Sequence, residues 1–268
     1  PFNVAWNLQA LGLTPLLVSR IGTDSLGELI LSAMRDWSMP TAGIQHDPEH
    51  ATGTVEVSFH RGEPSYHIAA SRAWDHITVP DLPLMPSGNI LYHGSLALRT
   101  ERSRQTLEHL KGSTGSPVLL DVNLRPPWWD SGTVFRFLKG ARWVKMNEKE
   151  LAELGPDRSE TGHRAKSLLH RTGIESLIVT RGAGGTVTYR SDGSVHEQRP
   201  ADAARVVDTV GAGDAFASVV LLGLARGWTW PDFLHRAQSF ASAVVGIQGA
   251  ISTDPGFYDG FRKAWEPA

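Results

Sequence analysis

A glycine-rich turn before a predicted helix carries the clearest chemical signal in the sequence. The turn is Asp208-Thr-Val-Gly-Ala-Gly-Asp214, and apolar residues at helical spacing follow over about 213–226. Backbone N–H groups of Gly211–Gly213 can converge at the start of this helix, which favours a bound anion. Asp214 could act there as the base in transfer of a phosphoryl group to a hydroxyl. A plain turn in which Asp214 only caps the helix explains the local sequence equally well.

A second polar segment, Asp121-Val-Asn-Leu-Arg125, follows a short apolar run at 118–120. The run predicts a buried strand, and open α/β sheets bind ligands at the carboxyl ends of their strands. Arg125 is therefore a candidate for contact with a phosphate or with transition-state charge. A surface ion pair is the alternative interpretation of Arg125.

Two more segments follow predicted strands and are ambiguous when taken alone. Asn147-Glu-Lys-Glu150 follows a strand at 143–144, and an Asn cap with acidic residues after it also suits any helix start. Thr180-Arg-Gly-Ala-Gly-Gly185 follows a strand at 177–179, and its glycines permit close backbone approach to a ligand. A simple hairpin corner is the alternative interpretation of this loop.

Alternating strands and helices are predicted to position these segments. The predicted helices lie at about 1–12, 24–37 with Asp24 as N-cap, 101–110, 132–139, 161–171, 213–226 and 231–247. A short apolar strand is predicted at 16–21, and a further buried parallel strand at 90–92. Residues 54–59 and 65–68 predict a hairpin, interpreted as a lid, and 184–189 and 194–197 predict antiparallel edge strands. This alternation indicates an α/β fold with a mostly parallel sheet.

Composition excludes several classes of protein. The 268 residues can bury one large core, and a formal charge of −2 gives no reason to expect nucleic acid or an acidic membrane as a partner. The absence of cysteine excludes disulfides, thiolate metal sites and a cysteine nucleophile. No apolar stretch is long enough to span a bilayer and no signal peptide is evident, so a cytoplasmic location is expected.

Two distant motifs together resemble the signatures of the ribokinase-like, or PfkB, carbohydrate kinases. The segment around Asp208–Asp214 resembles the second signature, and Asn3, Ala5, Gly12 and Gly22 match the spacing of the first. The resemblance implies a ribokinase-like three-layer α/β fold, with helices on both faces of a mostly parallel sheet. It further implies a single domain over 1–268 with a small β lid from about 14–21 and 52–70. A first strand is expected to precede Pro1.

The resemblance also implies roles for individual residues. Asp214 would be the catalytic base and contact the sugar, and the anion hole would comprise Gly211, Ala212 and Gly213. The implied nucleotide ligands are Thr180, Gly182, Gly185 and Gly249, and the implied sugar ligands are Asn3, Asn123 and Arg125. Mg²⁺ would be bound, mostly through water, by Asn147 and Glu150, and a monovalent cation such as K⁺ by Asp208. A helix N-cap is the alternative for Asn3.

The resemblance implies ATP and Mg²⁺ as cofactors and a sugar as the phosphoryl acceptor. Asp121–Arg125, 52–57 and 73–75 look most like bacterial fructokinases, although Val122 stands where proline is commoner. A 2-keto-3-deoxygluconate kinase is the alternative, since Arg125 would suit a carboxylate, and a ribokinase is a further one. A non-catalytic sugar or nucleotide sensor is the alternative of another class. A homodimer through the β lid is expected.

Overall fold

The structure, a computed structural model, describes residues 1–60, 63–79, 88–155, 160–200 and 206–265. Two compact units make up the chain. We call residues 1–13, 87–96 and 115–268 the large unit, and residues 14–86 and 97–114 the small unit.

Helices and strands alternate along the chain, as the sequence predicts. The helices are α1 (Phe2–Ala10), α2 (Ser25–Asp36), α3 (Glu101–Thr114), α4 (Ser131–Lys139), α5 (Glu148–Leu154), α6 (Thr161–Thr172), α7 (Ala212–Arg226), α8 (Trp230–Val245) and α9 (Pro255–Trp265). The strands are β1 (Ser19–Gly22), β2 (Ile44–Asp47), β3 (Val55–His60), β4 (Glu63–Ile68), β5 (Leu91–Gly94), β6 (Val118–Asp121), β7 (Trp143–Asn147), β8 (Ser176–Thr180), β9 (Thr186–Arg190) and β10 (Val195–Gln198).

A six-stranded sheet forms the centre of the large unit, in the order β10-β9-β8-β7-β6-β5. Strands β5 to β8 are parallel, and β9 and β10 run antiparallel to their neighbours, which confirms the predicted mostly parallel sheet with antiparallel strands at one edge. The register pairs Gly94 with Asp121, Asp121 with Lys145, and Asn147 with Thr180. The polar carboxyl ends of four parallel strands therefore lie side by side.

The central strands β6, β7 and β8 are buried against helices, which explains why most of their residues are apolar. Leu120, Val144, Leu177 and Val179 are fully buried and pack with side chains of α4, α5 and α6 in one cluster. Parallel strands covered on both faces require such continuous apolar runs. Helix α7 packs against α1 and α8. Lys145 interrupts the apolar run of β7 and is itself buried.

The described part of the small unit contains two separate two-stranded sheets. Strands β3 and β4 form the predicted antiparallel hairpin, whereas β1 pairs in parallel with β2, a strand that the sequence analysis did not predict. Strand β1 begins at Ser19, three residues later than predicted. Asp24 caps α2 as predicted, since its Oδ1 accepts a hydrogen bond of 2.9 Å from the Gly27 amide.

Among the described residues, no helix combines the length and apolar composition that crossing a bilayer requires.

Candidate active site

The turn before α7 is shaped as an anion site. Gly211 is the N-cap residue at φ 84°, and within the described chain no side chain caps the helix at this position. The first N–H groups of an α-helix have no partner within the helix, and its dipole favours negative charge there. Gly211 is required for two reasons, because its φ is left-handed and because a Cβ would lie 2.7 Å from the Cβ of Ala250 and closer still to its backbone. The geometry leaves the N-terminus of α7 open to a ligand.

The Asp214 carboxylate lies beside this turn and accepts a hydrogen bond from the side-chain amide of Asn3. Asn3 Nδ2 donates a hydrogen bond of 2.7 Å to Asp214 Oδ2, although the two residues are 211 positions apart. Asn3 lies inside α1, whose N-cap is Pro1, so the N-cap alternative for Asn3 is wrong. The contact fixes Asp214 Oδ2, and among the described residues no hydrogen bond reaches Oδ1, so that oxygen is available to accept a proton. This suits a general base better than a mere helix cap.

Asp121 and Lys145 place a buried ion pair at the carboxyl edge of the sheet. Lys145 Nζ lies 2.8 Å from Asp121 Oδ1, and the Tyr92 hydroxyl donates a hydrogen bond of 3.1 Å to Asp121 Oδ2. Burial raises the pKa of Asp121, an effect that the Lys145 ammonium opposes. The sequence analysis assigned no role to Tyr92 or Lys145. The sequence feature that could have indicated Lys145 is its position within an otherwise apolar strand, because buried lysines are rare unless they are paired.

Asn147 and Glu150 form a reciprocal capping box at the start of α5. Asn147 Oδ1 accepts from the Glu150 amide at 2.9 Å, and Glu150 Oε2 accepts from the Asn147 amide at 2.8 Å. The helix-start alternative predicts this arrangement. Glu150 Oε1 also accepts from the Leu124 amide at 3.2 Å, which ties α5 to the loop after β6. Burial raises the pKa of Glu150, and these amide hydrogen bonds act in the opposite direction.

The described residues contain no group of three or more His, Asp or Glu side chains that could enclose a metal. Mg²⁺ usually keeps several waters and takes only one or two protein carboxylates together with substrate phosphates. Asn147 is exposed and Glu150 is buried, and both have side-chain oxygens that could accept hydrogen bonds from the waters of a bound Mg²⁺.

Asn123 and Arg125 lie exposed in the loop after β6. Two hydrogen bonds of 3.0 Å join the backbone of Asn123 to Ser95 Oγ, so the loop is fixed while the Asn123 side chain remains accessible. Arg125 is in none of the ion pairs formed between described residues, which disfavours the ion-pair alternative. Its guanidinium remains accessible to an anionic ligand.

The glycine loop after β8 adopts the backbone that its sequence indicates. Gly182 and Gly185 have φ of 55° and 81°, and a Cβ on Gly185 would collide with the Gln198 carbonyl oxygen. Thr180 ends β8 next to Asn147 of β7. These residues therefore lie at the same edge of the sheet as Asp121.

Asp208 joins the turn before α7 to the loop after α8. Its Oδ1 accepts from the Val210 amide at 2.9 Å and its Oδ2 from the Gly249 amide at 3.1 Å. These amide hydrogen bonds lower the pKa of Asp208, with Val210 the larger contributor. An ionised carboxylate with remaining lone pairs is compatible with a monovalent cation, and it also holds Gly249 in place.

Comparisons with known proteins agree with the α/β fold and with the family that the sequence resembles. Residues 1–255 match the family described as pfkB family carbohydrate kinase. A fructokinase from Salmonella typhimurium is 29% identical, and the match covers 95% of this chain and 87% of the relative. The crystal structure of a sugar kinase from Pyrococcus horikoshii in complex with ATP is 25% identical, with a TM-score of 0.78 over 92% of this chain and 82% of that chain. Fructokinase from Vibrio cholerae O395, solved with fructose, ADP and calcium, is 24% identical with a TM-score of 0.80, over 96% of this chain and 88% of its own.

Proposed function

Because the chain belongs to the pfkB family of carbohydrate kinases, we propose that it is a fructokinase that transfers the γ-phosphoryl group of ATP to the 6-hydroxyl of fructose. The observation that carries the kinase chemistry is the Asp214 carboxylate, held by Asn3 beside the open N-terminus of α7. The similarity to the Salmonella fructokinase over 95% of this chain supports the choice of fructose.

Asp214 takes the proton of the attacking hydroxyl in this mechanism, while Asn3 keeps its carboxylate directed at that hydroxyl. Backbone N–H groups of Gly211–Gly213 stabilise the charge on the transferred group. ATP supplies the phosphoryl group, and Mg²⁺ supplies charge neutralisation between the phosphates. The residues that would hold them are Thr180, Gly182, Gly185 and Gly249 for the nucleotide and, mostly through water, Asn147 and Glu150 for the metal.

A second candidate is a 2-keto-3-deoxygluconate kinase. The observation that favours it is the exposed Arg125, which is in no ion pair among the described residues and would suit a substrate carboxylate. Ribose, the substrate of a ribokinase, has no carboxylate that Arg125 could bind.

ADP release with a panel of fructose, 2-keto-3-deoxygluconate and ribose tests these assignments. We expect fructose to give the highest kcat/KM, with the phosphate found on the 6-oxygen by NMR. A preference for the keto acid that disappears in Arg125→Gln would instead establish the second candidate. Binding of sugar and nucleotide by calorimetry without ADP release from any sugar would contradict the kinase assignment and indicate a sensor.

Asn3→Ala is expected to lower kcat/KM for the sugar by about 10- to 100-fold, the range for a hydrogen bond to a charged group. The reason is the loss of the 2.7 Å contact that directs Asp214. Steady-state ADP release measures the effect, and Gln9→Ala is the matched control because it removes another half-buried amide from α1. Equal losses in both variants would show that α1 packing, and not the contact with Asp214, is responsible.

A further inference from the structure

Three neighbouring strands of the large unit contribute to one buried chain of polar contacts. Tyr92 on β5 donates to Asp121 on β6, and Asp121 pairs with Lys145 on β7. Asp121 and Lys145 are register partners, so their side chains leave the sheet on the same face. The hydrogen bond from Tyr92 orients the Asp121 carboxylate toward Lys145.

Burial of the Asp121–Lys145 ion pair carries a desolvation penalty. Only 7% of Lys145 and 8% of Asp121 is exposed. Buried ion pairs of this kind are often no more stabilising than apolar residues of similar volume. Fold stability alone therefore gives no reason for Lys145 in a strand whose neighbouring residues, Val144 and Met146, are fully buried and apolar.

The position of the lysine points to the anion site before α7. A Cβ placed on Gly213 would lie 3.6 Å from Lys145 Nζ, which is ordinary contact distance. The ammonium group thus borders the surface that Gly213 leaves open. The backbone N–H groups of the turn and the Lys145 ammonium therefore border the same candidate anion site.

We propose that Lys145 contacts the phosphoryl group during its transfer, and that Asp121 and Tyr92 are positioning residues that hold the Lys145 ammonium at the anion hole. The inference rests on the proposed kinase function. In the transfer, the bond from the γ-phosphorus to the bridging oxygen of ADP breaks as the bond to the sugar oxygen forms. Asp214 receives the hydroxyl proton, and Lys145 takes no part in the proton transfer.

A nucleotide-binding measurement tests the lysine without relying on turnover. AMP-PNP and ADP differ by the γ-phosphate, so the ratio of their dissociation constants reports the charge that faces this group. We expect Lys145→Met to lower the preference for AMP-PNP over ADP by about 10-fold or more, the least expected for one charged hydrogen bond. Lys139→Met, which removes an exposed lysine from α4, should keep the wild-type ratio. An unchanged ratio in Lys145→Met would overturn the proposal.

Kinetics separate contact with the phosphoryl group from a structural role. We expect Lys145→Met to lower kcat by about 10²- to 10³-fold, as for removal of one anion-hole donor, with the KM for sugar within about twofold. Tyr92→Phe, which loses only the hydroxyl contact with Asp121, should lower kcat by less and leave that KM unchanged.

The double variant Lys145→Met/Asp121→Asn covers the case in which the single variant is unstable, because it leaves no unpaired buried carboxylate. We expect its kcat and its nucleotide preference to stay as low as those of Lys145→Met. Recovery of either would show that the lysine serves only to neutralise Asp121, and would overturn the proposal. If the wild type phosphorylates no sugar, the proposed function fails, while the AMP-PNP and ADP comparison still decides the role of Lys145.

Discussion

Asp214→Asn should lower kcat for sugar phosphorylation by about 10²- to 10⁴-fold, the contribution typical of a general base. Asparagine has almost the same shape as aspartate, and its side-chain oxygen can still accept the hydrogen bond from Asn3 Nδ2. The variant therefore removes the ability to take a proton and keeps the packing of α1 against α7. The dissociation constant for ADP and the melting temperature should stay close to the wild-type values.

Asp232→Asn is the matched control for this variant. Asp232 occupies the first turn of the neighbouring helix α8, as Asp214 does in α7, so both changes remove a carboxylate from a helix N-terminus. We expect Asp232→Asn to retain the wild-type kcat. If Asp214→Asn turned over as fast as Asp232→Asn, Asp214 would be a helix-capping residue and another group would serve as the base.

Gly211→Ala should abolish most of the activity and also destabilise the fold. A non-glycine residue in the left-handed region costs about 1 to 3 kcal/mol. The new methyl group would also collide with Ala250, so the turn or the loop after α8 must move. Movement of the turn displaces the backbone N–H groups that line the anion site. We expect a loss of kcat/KM of about 10²-fold or more, since misplacement by about 1 Å can have this effect.

Gly227→Ala distinguishes the two causes, because it places the same strain at the other end of the same helix. Gly227 has φ 66° at the C-cap of α7, and a Cβ there would meet nothing within 4 Å. Its melting temperature should fall, whereas its kcat/KM should match the wild type. If Gly227→Ala lost as much activity as Gly211→Ala at equal stability, general weakening of α7 would explain the loss. Thermal unfolding measures the melting temperature, and ADP release measures kcat/KM, for the wild type, Gly211→Ala and Gly227→Ala.

Much of the fold could be predicted because it depends on local patterns. The apolar runs of β6 and β8 and the helical spacing of α7 and α8 are visible in the sequence, and the structure confirms these elements. Strand β2 was not predicted, because Gln45 and His46 interrupt any apolar pattern. Helix α9 was also missed, although its buried residues Tyr258 and Trp265 lie at helical spacing. Its Pro255-Gly256 start resembles a turn, and only packing against the rest of the large unit buries its aromatic face.

Glu150 shows why part of the candidate site required the structure. Its spacing from Asn147 predicts a capping box or a metal-binding motif, and both interpretations fit the sequence. The structure adds the contact between Glu150 Oε1 and the Leu124 amide, which no local pattern encodes. That contact joins helix α5 to the loop after β6, so Glu150 also helps to hold the segment that ends at Arg125.

By itself, the sequence indicated the glycine turn from Asp208 to Asp214 as a candidate anion site and predicted the alternation of strands and helices that supports it. These features depend on backbone freedom at glycine and on the periodicity of apolar residues, which are properties of neighbouring residues. Only the tertiary structure decided that Asn3 holds Asp214 and that Tyr92 and Asp121 place Lys145 beside Gly213. Such contacts follow from strand order, register and helix packing, which bring together residues that are 24 to 211 positions apart.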